Sequence, residues 1–321
     1  MNEQIIGVFQ CPDCKGKLTF GRSEPDGEAL ACASCGRLHR VIDGIPRFVP
    51  EPNYADSFGY QWNVHAKTQL DSNCGVAVSR DRVNLVTQWP AKLEGELVLE
   101  AGSGAGRFTE VLVKTGATIL SFDYLTAVDA NQRNNGDSEN LVLFQGDIFN
   151  IPVKDCSVDR VFCLGVIQHT PDPHAAFVSL ASKLKPGGSL VIDIYADDWK
   201  ARMQWKYLLR PLTKRMNSLR LYNFIAAVTP TLVPVTRFLR SIAGRTGARI
   251  SPIVEYSYLG LRPDINEQWA ILDTFDMYSP AHDHPKSQDE VQSWFREIGF
   301  ENVEVCRGPN GVVGRGTRPA R

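Results

Sequence analysis

Between residues 96 and 195 the chain alternates short, almost wholly apolar runs with longer stretches whose apolar positions recur at helical spacing. The runs Glu96–Glu100, Thr118–Asp123, Leu141–Gln145, Val158–Leu164 and Ser189–Tyr195 predict strands buried on both faces. The stretches between them predict helices at 107–115, about 126–134 and 174–184, and Lys185-Pro186-Gly187-Gly188 predicts a turn into the fifth strand. A helix over Ser79–Trp89 precedes this region. After it, 287–299 reads as a helix with a serine cap, early acids and a terminal glycine. Short strands at 303–307 and 311–316, joined by Gly-Pro-Asn-Gly, end the pattern. Apolar strands alternating with helices predict an α/β fold with a parallel, doubly wound sheet.

Residues 1–50 follow another logic. Cys11-Pro12-Asp13-Cys14 and Cys32-Ala33-Ser34-Cys35 lie seventeen residues apart. Each CxxC turn puts two thiolates on one side of the chain, and two such turns make a four-sulfur cage for a structural zinc ion. Gly16 and Gly36 follow the turns where a positive φ is expected. A segment this small lacks a core of its own, so the metal is expected to hold it together. Residues 41–52, rich in proline, read as the end of this ribbon and a linker.

Composition narrows the function classes. Hydrophobic residues make up 43% of the chain and charged residues 22%, and 35 basic side chains face 36 acidic ones. That balance gives no global pull toward nucleic acid. The N-terminus has no basic region followed by an apolar run, and no run reaches the length of a membrane-spanning helix, so a cytoplasmic location is expected. The exception to the balance is local: 196–250 carries eleven Lys/Arg against Asp197 and Asp198, interleaved with aromatics.

Candidate chemistry gathers around Leu97–Phe108. An apolar strand runs through Glu100 into Gly102, Gly104 and Gly106, then into a helical pattern. Such a turn lets a ligand approach backbone without meeting a Cβ. The acid ahead of the glycines suits an ammonium rather than the phosphate of the dinucleotide fingerprint. Asp123, ending the second strand, is placed for two ribose hydroxyls. Asp147, after the third, is placed for an adenine amine.

Taken in order, LEAGSGAGRF, SFDY, FQGDIFNIPV, VDRVFCLGVIQHTPDP and LKPGGSLVIDIY resemble the successive motifs of class I S-adenosylmethionine-dependent methyltransferases of the type 11 kind. The resemblance covers about 95–195, with 287–321 as the family's last helix and hairpin. It implies a seven-stranded Rossmann-like sheet with its last strand antiparallel. It also implies that Glu100, Gly102 and Gly104 line the methionine part, Asp123 the ribose, Asp147 and Ile148 the adenine, while Leu164 flanks the sulfonium. The ribbon is similar to the small zinc-ribbon partners of translation-related methyltransferases. The chain then divides into a ribbon (1–50), a linker and cap (51–94), a core (95–195), a helical insertion (196–286) and a closing segment (287–321).

His169, in the loop after the fourth strand, is the candidate general base or acceptor-orienting group. Its alternative is a histidine that only caps the loop. Asp276, Tyr278, His282, Asp283 and His284 form a polar group before the last helix, with no third ligand in view for a metal. Tyr60, Gln61, Trp62 and His65 are candidates to fold over the cofactor, or else pack the ribbon on the core. The leading expectation is methyl transfer to a small-molecule or glycan/lipid-linked acceptor, at oxygen. The runner-up is a ribosomal or transfer RNA methyltransferase, and an alternative of another class is a non-catalytic adaptor. The basic, aromatic insertion reads as a lid, as a surface for an anionic or lipid-linked acceptor with peripheral membrane contact, or as an RNA-contacting face.

Overall fold

The computed structural model of the chain describes residues 3–23, 27–49, 62, 64–198 and 204–320. A seven-stranded mixed sheet forms its centre. Its strands are β5 (Leu97–Ala101), β6 (Thr118–Asp123), β7 (Leu141–Gln145), β8 (Val158–Leu164), β9 (Leu184–Ile194), β10 (Glu301–Gly308) and β11 (Gly311–Thr317). Their order is β10-β11-β9-β8-β5-β6-β7, with β11 antiparallel to its neighbours. The chain reverses direction of winding between β5 and β8, where the loops part and open a crevice.

Strand alternation sorts the core into two layers. Leu99, Leu120, Val161, Cys163 and Ile192 face one side, against α6 (Pro173–Ser182) and α10 (Gln288–Glu297). Val98, Ile119, Phe162, Leu164 and Val191 face the other, against α3 (Val78–Thr87) and α4 (Thr109–Leu112). Helix α10 starts with a full capping box: Ser287 Oγ accepts from Glu290 N, and Glu290 accepts from the Ser287 amide. Helix α5 (Ala127–Asn135) lies beside β6 and β7.

Two expectations need correction here. The fifth core strand begins at Leu184, so Lys185–Gly188 is not a turn outside the strand. Backbone bonds between Gly187, Gly188 and Arg318 hold these residues in the sheet, with a register shift against β8. The helix after the glycines is also shorter than 107–115: α4 covers four residues and tightens into a 3₁₀ turn at Val113–Thr115, stopped by Gly116.

The N-terminal part forms its own antiparallel sheet, β1 (Leu18–Ser23), β2 (Gly27–Cys32), β3 (Leu38–Ile42) and β4 (Ile45–Pro46), after a short α1 (Glu3–Ile6). It is docked on the core. Phe48 N donates to Gln145 O at 2.9 Å, so the chain after β4 bonds to the edge strand β7. Phe9 and Phe48 pack on Phe144, which stacks on Phe122 at 5.0 Å.

Residues 196–286 leave and rejoin the core at one point, where Lys286 N donates to Tyr195 O and Asp197 N to Lys286 O. The described part is helical: α7 (Trp205–Thr213), α8 (Ser218–Ala248) and α9 (Pro263–Tyr278). Helix α8 kinks at Ala243 and Gly244. Leu221 and Ile225 of α8 pack on Ile271, Phe275 and Tyr278 of α9. A short α2 (Asp71–Cys74) meets the insertion through Cys74, which packs in the Trp269 cluster. No helix among the described residues is long and apolar enough to cross a membrane.

Candidate functional site

The crevice at the β5/β8 switch opens into a cavity of about 750 Å³, large enough for a nucleoside-sized ligand plus a second small molecule. Its floor is the glycine turn after β5. Gly102 has φ +76°, and a Cβ there would stand 2.2 Å from Val166 Cγ2; one at Gly106 would meet Asn131 Oδ1 at 2.1 Å. Only glycine lets this backbone fold so tightly between β5, the β8 loop and α5. Gly104 lies under the Trp62 ring, 3.4 Å from where its Cβ would be.

Asp123 closes one wall. Its Oδ2 accepts from Gly104 N at 2.9 Å and its Oδ1 from Leu125 N at 3.0 Å. The Tyr124 amide acts on the same carboxylate, and of its about four lone-pair sites at least one is left for a ligand hydroxyl. Burial raises its pKa against the lowering effect of these amides. Asp147 Oδ1 accepts from Phe149 N at 2.9 Å, and its other oxygen is open to a ligand amine. Ile148 and Leu164, both under a tenth exposed, add apolar wall on either side.

Glu100, expected to line the methionine part, is 1% exposed and is placed beneath the turn. Its parity on β5 is that of Val98, so the side chain enters the layer beneath the turn. There Oε2 accepts from Thr109 Oγ1 at 2.6 Å and Ser121 Oγ at 2.8 Å. Asn131 donates to Thr109, and Asn135 donates to Asn131 and Gly106 O. The acid is thus the root of a buried network that holds the glycine turn. Complete burial pushes its pKa up to about 7.

The opposite wall comes from the insertion. Arg107, following the turn, is sandwiched between Phe108 and Trp269 and donates to Gln69 and Ser79. Burial lowers its pKa to about 10, so it stays charged at neutral pH. Asp273 of α9 accepts from Gln69, Trp269 and Tyr256, the last at 2.5 Å. Arg82 pairs with the fully buried Asp193, which also accepts from Gly165 N. Lys206 and Arg210 of α7 both meet Asp283 at 3.0 Å, and Lys206 Nζ sits 4.5 Å above the Tyr195 ring. Asp276 and Tyr195 face the same space.

His169 lies on the cavity wall. Its Nδ1–H donates to His282 O at 3.1 Å, which leaves Nε2 as an acceptor. Burial is the main cause that drops its pKa to about 4. The ring is therefore neutral and a weak proton acceptor, better suited to orienting a hydroxyl than to removing its proton. The polar group 276–285 divides: Asp276 faces the cavity, Asp283 is the buried partner of two cations, and Tyr278 donates to Pro252 O. His282 and His284 stack on each other, and no metal cluster among the described residues includes them. Tyr60 and Gln61 lie outside the described residues. Trp62 covers the glycine turn, and His65 bonds Tyr222 OH of α8 at 2.7 Å.

In the ribbon, the sulfurs of Cys11, Cys14, Cys32 and Cys35 lie within 4.8 Å of one another. A four-thiolate donor set at this spacing fits a tetrahedral ion. One knuckle expectation is corrected: Gly36 has φ +73°, but in the first turn the positive φ falls on Lys15 (60°). Gly16 is small for another reason, since a Cβ there would stand 2.6 Å from Ser34 Oγ and 2.8 Å from Cys32 Sγ.

Arg82, Gln69, Tyr195, Lys206 and Asp273 were not singled out as site residues from the sequence. Arg82, Gln69, Lys206 and Asp273 reach the cavity through packing of the insertion and cap against the core, where no local motif marks them, and Tyr195 ends the motif of the fifth core strand.

Residues 99–192 match the family model described as a methyltransferase domain. A protein of Synechococcus sp. with no assigned function is 25% identical over 59% of this chain and 42% of its own length. A ubiquinone biosynthesis O-methyltransferase of Coxiella burnetii is 30% identical over 34% of this chain and 47% of its own. The matched stretch thus spans less than half of these relatives. A SAM-dependent methyltransferase of Aquifex aeolicus with a solved structure is matched at 15% identity, 74% of this chain, 88% of that chain and a TM-score of 0.40. The matched stretch, 99–192, runs from β5 to β9 of the seven-stranded sheet.

Proposed function

We propose that the protein transfers a methyl group from S-adenosylmethionine to a small-molecule or glycan/lipid-linked acceptor, at oxygen. The observation that carries this reading is the wall built by Gly104 and Asp123: a backbone turn free of Cβ atoms, bonded to a carboxylate that lines the cavity and keeps acceptor capacity for a ligand. When bound there, the cofactor supplies an electrophilic methyl group on its sulfonium. Asp123 would hold the ribose hydroxyls, Asp147 and Ile148 the adenine, Gly102 and Gly104 the amino-acid tail, and Leu164 would keep water from the sulfonium. Glu100 acts from beneath, by fixing the turn.

The protein's part in the reaction is placement and exclusion of water. Trp62 and the insertion shelter the cavity, and His169 Nε2 accepts from the acceptor's hydroxyl to aim its oxygen. The proton of that hydroxyl leaves to His169 Nε2, the group it already donates to, as the methyl bonds to its oxygen and makes it strongly acidic. We read 1–50 as a ribbon held by a structural zinc ion on Cys11, Cys14, Cys32 and Cys35, and 196–286 as the acceptor-binding insertion. The ubiquinone O-methyltransferase names among the relatives support oxygen as the methylated atom.

The test is incubation with cofactor labelled at the methyl group and small-molecule or RNA fractions from an extract. Label in a base-labile or ether-linked small molecule supports the reading. Label in RNA alone replaces it with the nucleic-acid alternative, and no transfer above the protein-free control removes both.

A further inference from the structure

Helices α7 and α8 expose more large apolar side chains than the solvent face of an enzyme needs. Phe224, Val235, Phe238 and Ile242 recur at helical spacing on one stripe of α8 and are 49–69% exposed. Leu208 and Leu212 of α7 and Met216 in the turn between the helices are also exposed. The opposite stripe of α8, with Leu221, Ile225, Thr229 and Val233, is the one buried on α9 and the loop before it. Isolated exposed apolar residues need no explanation, but a contiguous series on paired helices marks a contact surface.

The charge around the stripe says what it contacts. Residues 204–250 contain no Asp or Glu. Three of their cations are neutralised from outside: Lys206 and Arg210 by Asp283, and Arg240 by Glu255. Lys214, Arg215, Arg220, Arg237, Arg245 and Arg249 are exposed and make no ion pair among the described residues. Arg220 stands one turn before Phe224 on the same stripe. Arg245 and Arg249 lie past its other end, on the rim of the cavity with Trp205 and Tyr258. Trp205 Nε1 donates to Ile250 O and fastens α7 to that rim.

We propose that this face docks on an anionic lipid bilayer, with the α8 stripe at the level of the headgroups and acyl chains and the cavity mouth turned toward the interface. An in-plane helix with aromatic and aliphatic side chains on one stripe and unneutralised Lys/Arg beside it has the chemistry of such a surface. A second copy of the chain fits less well, because a two-fold contact would oppose these cations to one another. RNA would use the cations and leave Phe224, Phe238 and Ile242 without a role. The proposal is independent of methyl transfer, since vesicle binding requires no turnover.

The test is sedimentation of the full chain with vesicles of phosphatidylcholine alone and with vesicles containing phosphatidylglycerol. Binding should be at least about tenfold stronger to the anionic vesicles and fall as salt is raised. The paired variant Phe238→Ser, Ile242→Ser should lose about tenfold or more, and Lys214→Ser with Arg220→Ser a similar amount, with thermal unfolding unchanged. Equal binding to both vesicles, or full binding by the apolar variant, would overturn the proposal. So would a vesicle-free dimer abolished by that variant, or single-stranded RNA as the only ligand retained.

Discussion

The amide of Gly104 donates to Asp123 Oδ2 at 2.9 Å, joining the turn after β5 to the end of β6. The two residues are nineteen positions apart, and the bond makes one wall from two motifs. Asp123 therefore has two tasks, holding the turn and presenting acceptor capacity to a ligand.

Glu100 imposes a pH dependence on stability. Its folded pKa, pushed up to about 7, exceeds its ordinary value of 4.5, so the folded state binds the extra proton between these values. Stability is favoured below pH 4.5 by this group and falls as pH rises from there to 7, by roughly 3 kcal/mol in all. Melting curves from pH 5 to 8 should show this fall in the parent and a flatter profile in Glu100→Gln. Identical profiles would mean that Glu100 titrates normally.

Asp283 lies 5% exposed between Lys206 and Arg210. Asp283→Asn leaves two buried cations without a counter-charge, which should cost about 3–5 kcal/mol. A large drop in melting temperature is expected, with the insertion opening first by proteolysis. A stability within about 0.5 kcal/mol of the parent would show that solvent reaches these cations freely.

The four-thiolate cage should carry about one zinc ion per chain, lost in Cys32→Ser. Because Phe9 and Phe48 pack on Phe144, and Phe144 on Phe122 at the cavity, metal loss should also loosen the β7 edge. Hydrogen exchange at Leu143–Gln145 should rise on chelation. Unchanged exchange with zinc removed would show that ribbon and core are mechanically separate.

What was legible in the sequence follows a physical boundary. Gly102, Gly104 and Asp123 are set by strand, turn and helix chemistry within 30 residues, and local pattern carries that. The direction of the Glu100 side chain was not legible, because a strand buried on both faces has no polar side to indicate which way a residue points. Its orientation shows only once α4 and Asn131 are in place. Arg107 on Trp269, Arg82 on Asp193 and Lys206 on Asp283 join residues from 77 to 162 positions apart, beyond any local period. The start of β9 was missed because Arg318, near the chain's end, supplies the pairing that keeps Lys185–Gly188 in the sheet.

Calorimetric titration decides whether this cavity holds S-adenosylmethionine against Gly104 and Asp123. The parent should bind the cofactor at one site per chain, and Asp123→Ala should bind at least about tenfold more weakly, each lost hydrogen bond to a charged group being worth about 1.5–3 kcal/mol. No heat of binding at millimolar cofactor, or an Asp123→Ala affinity equal to the parent's, would contradict that placement.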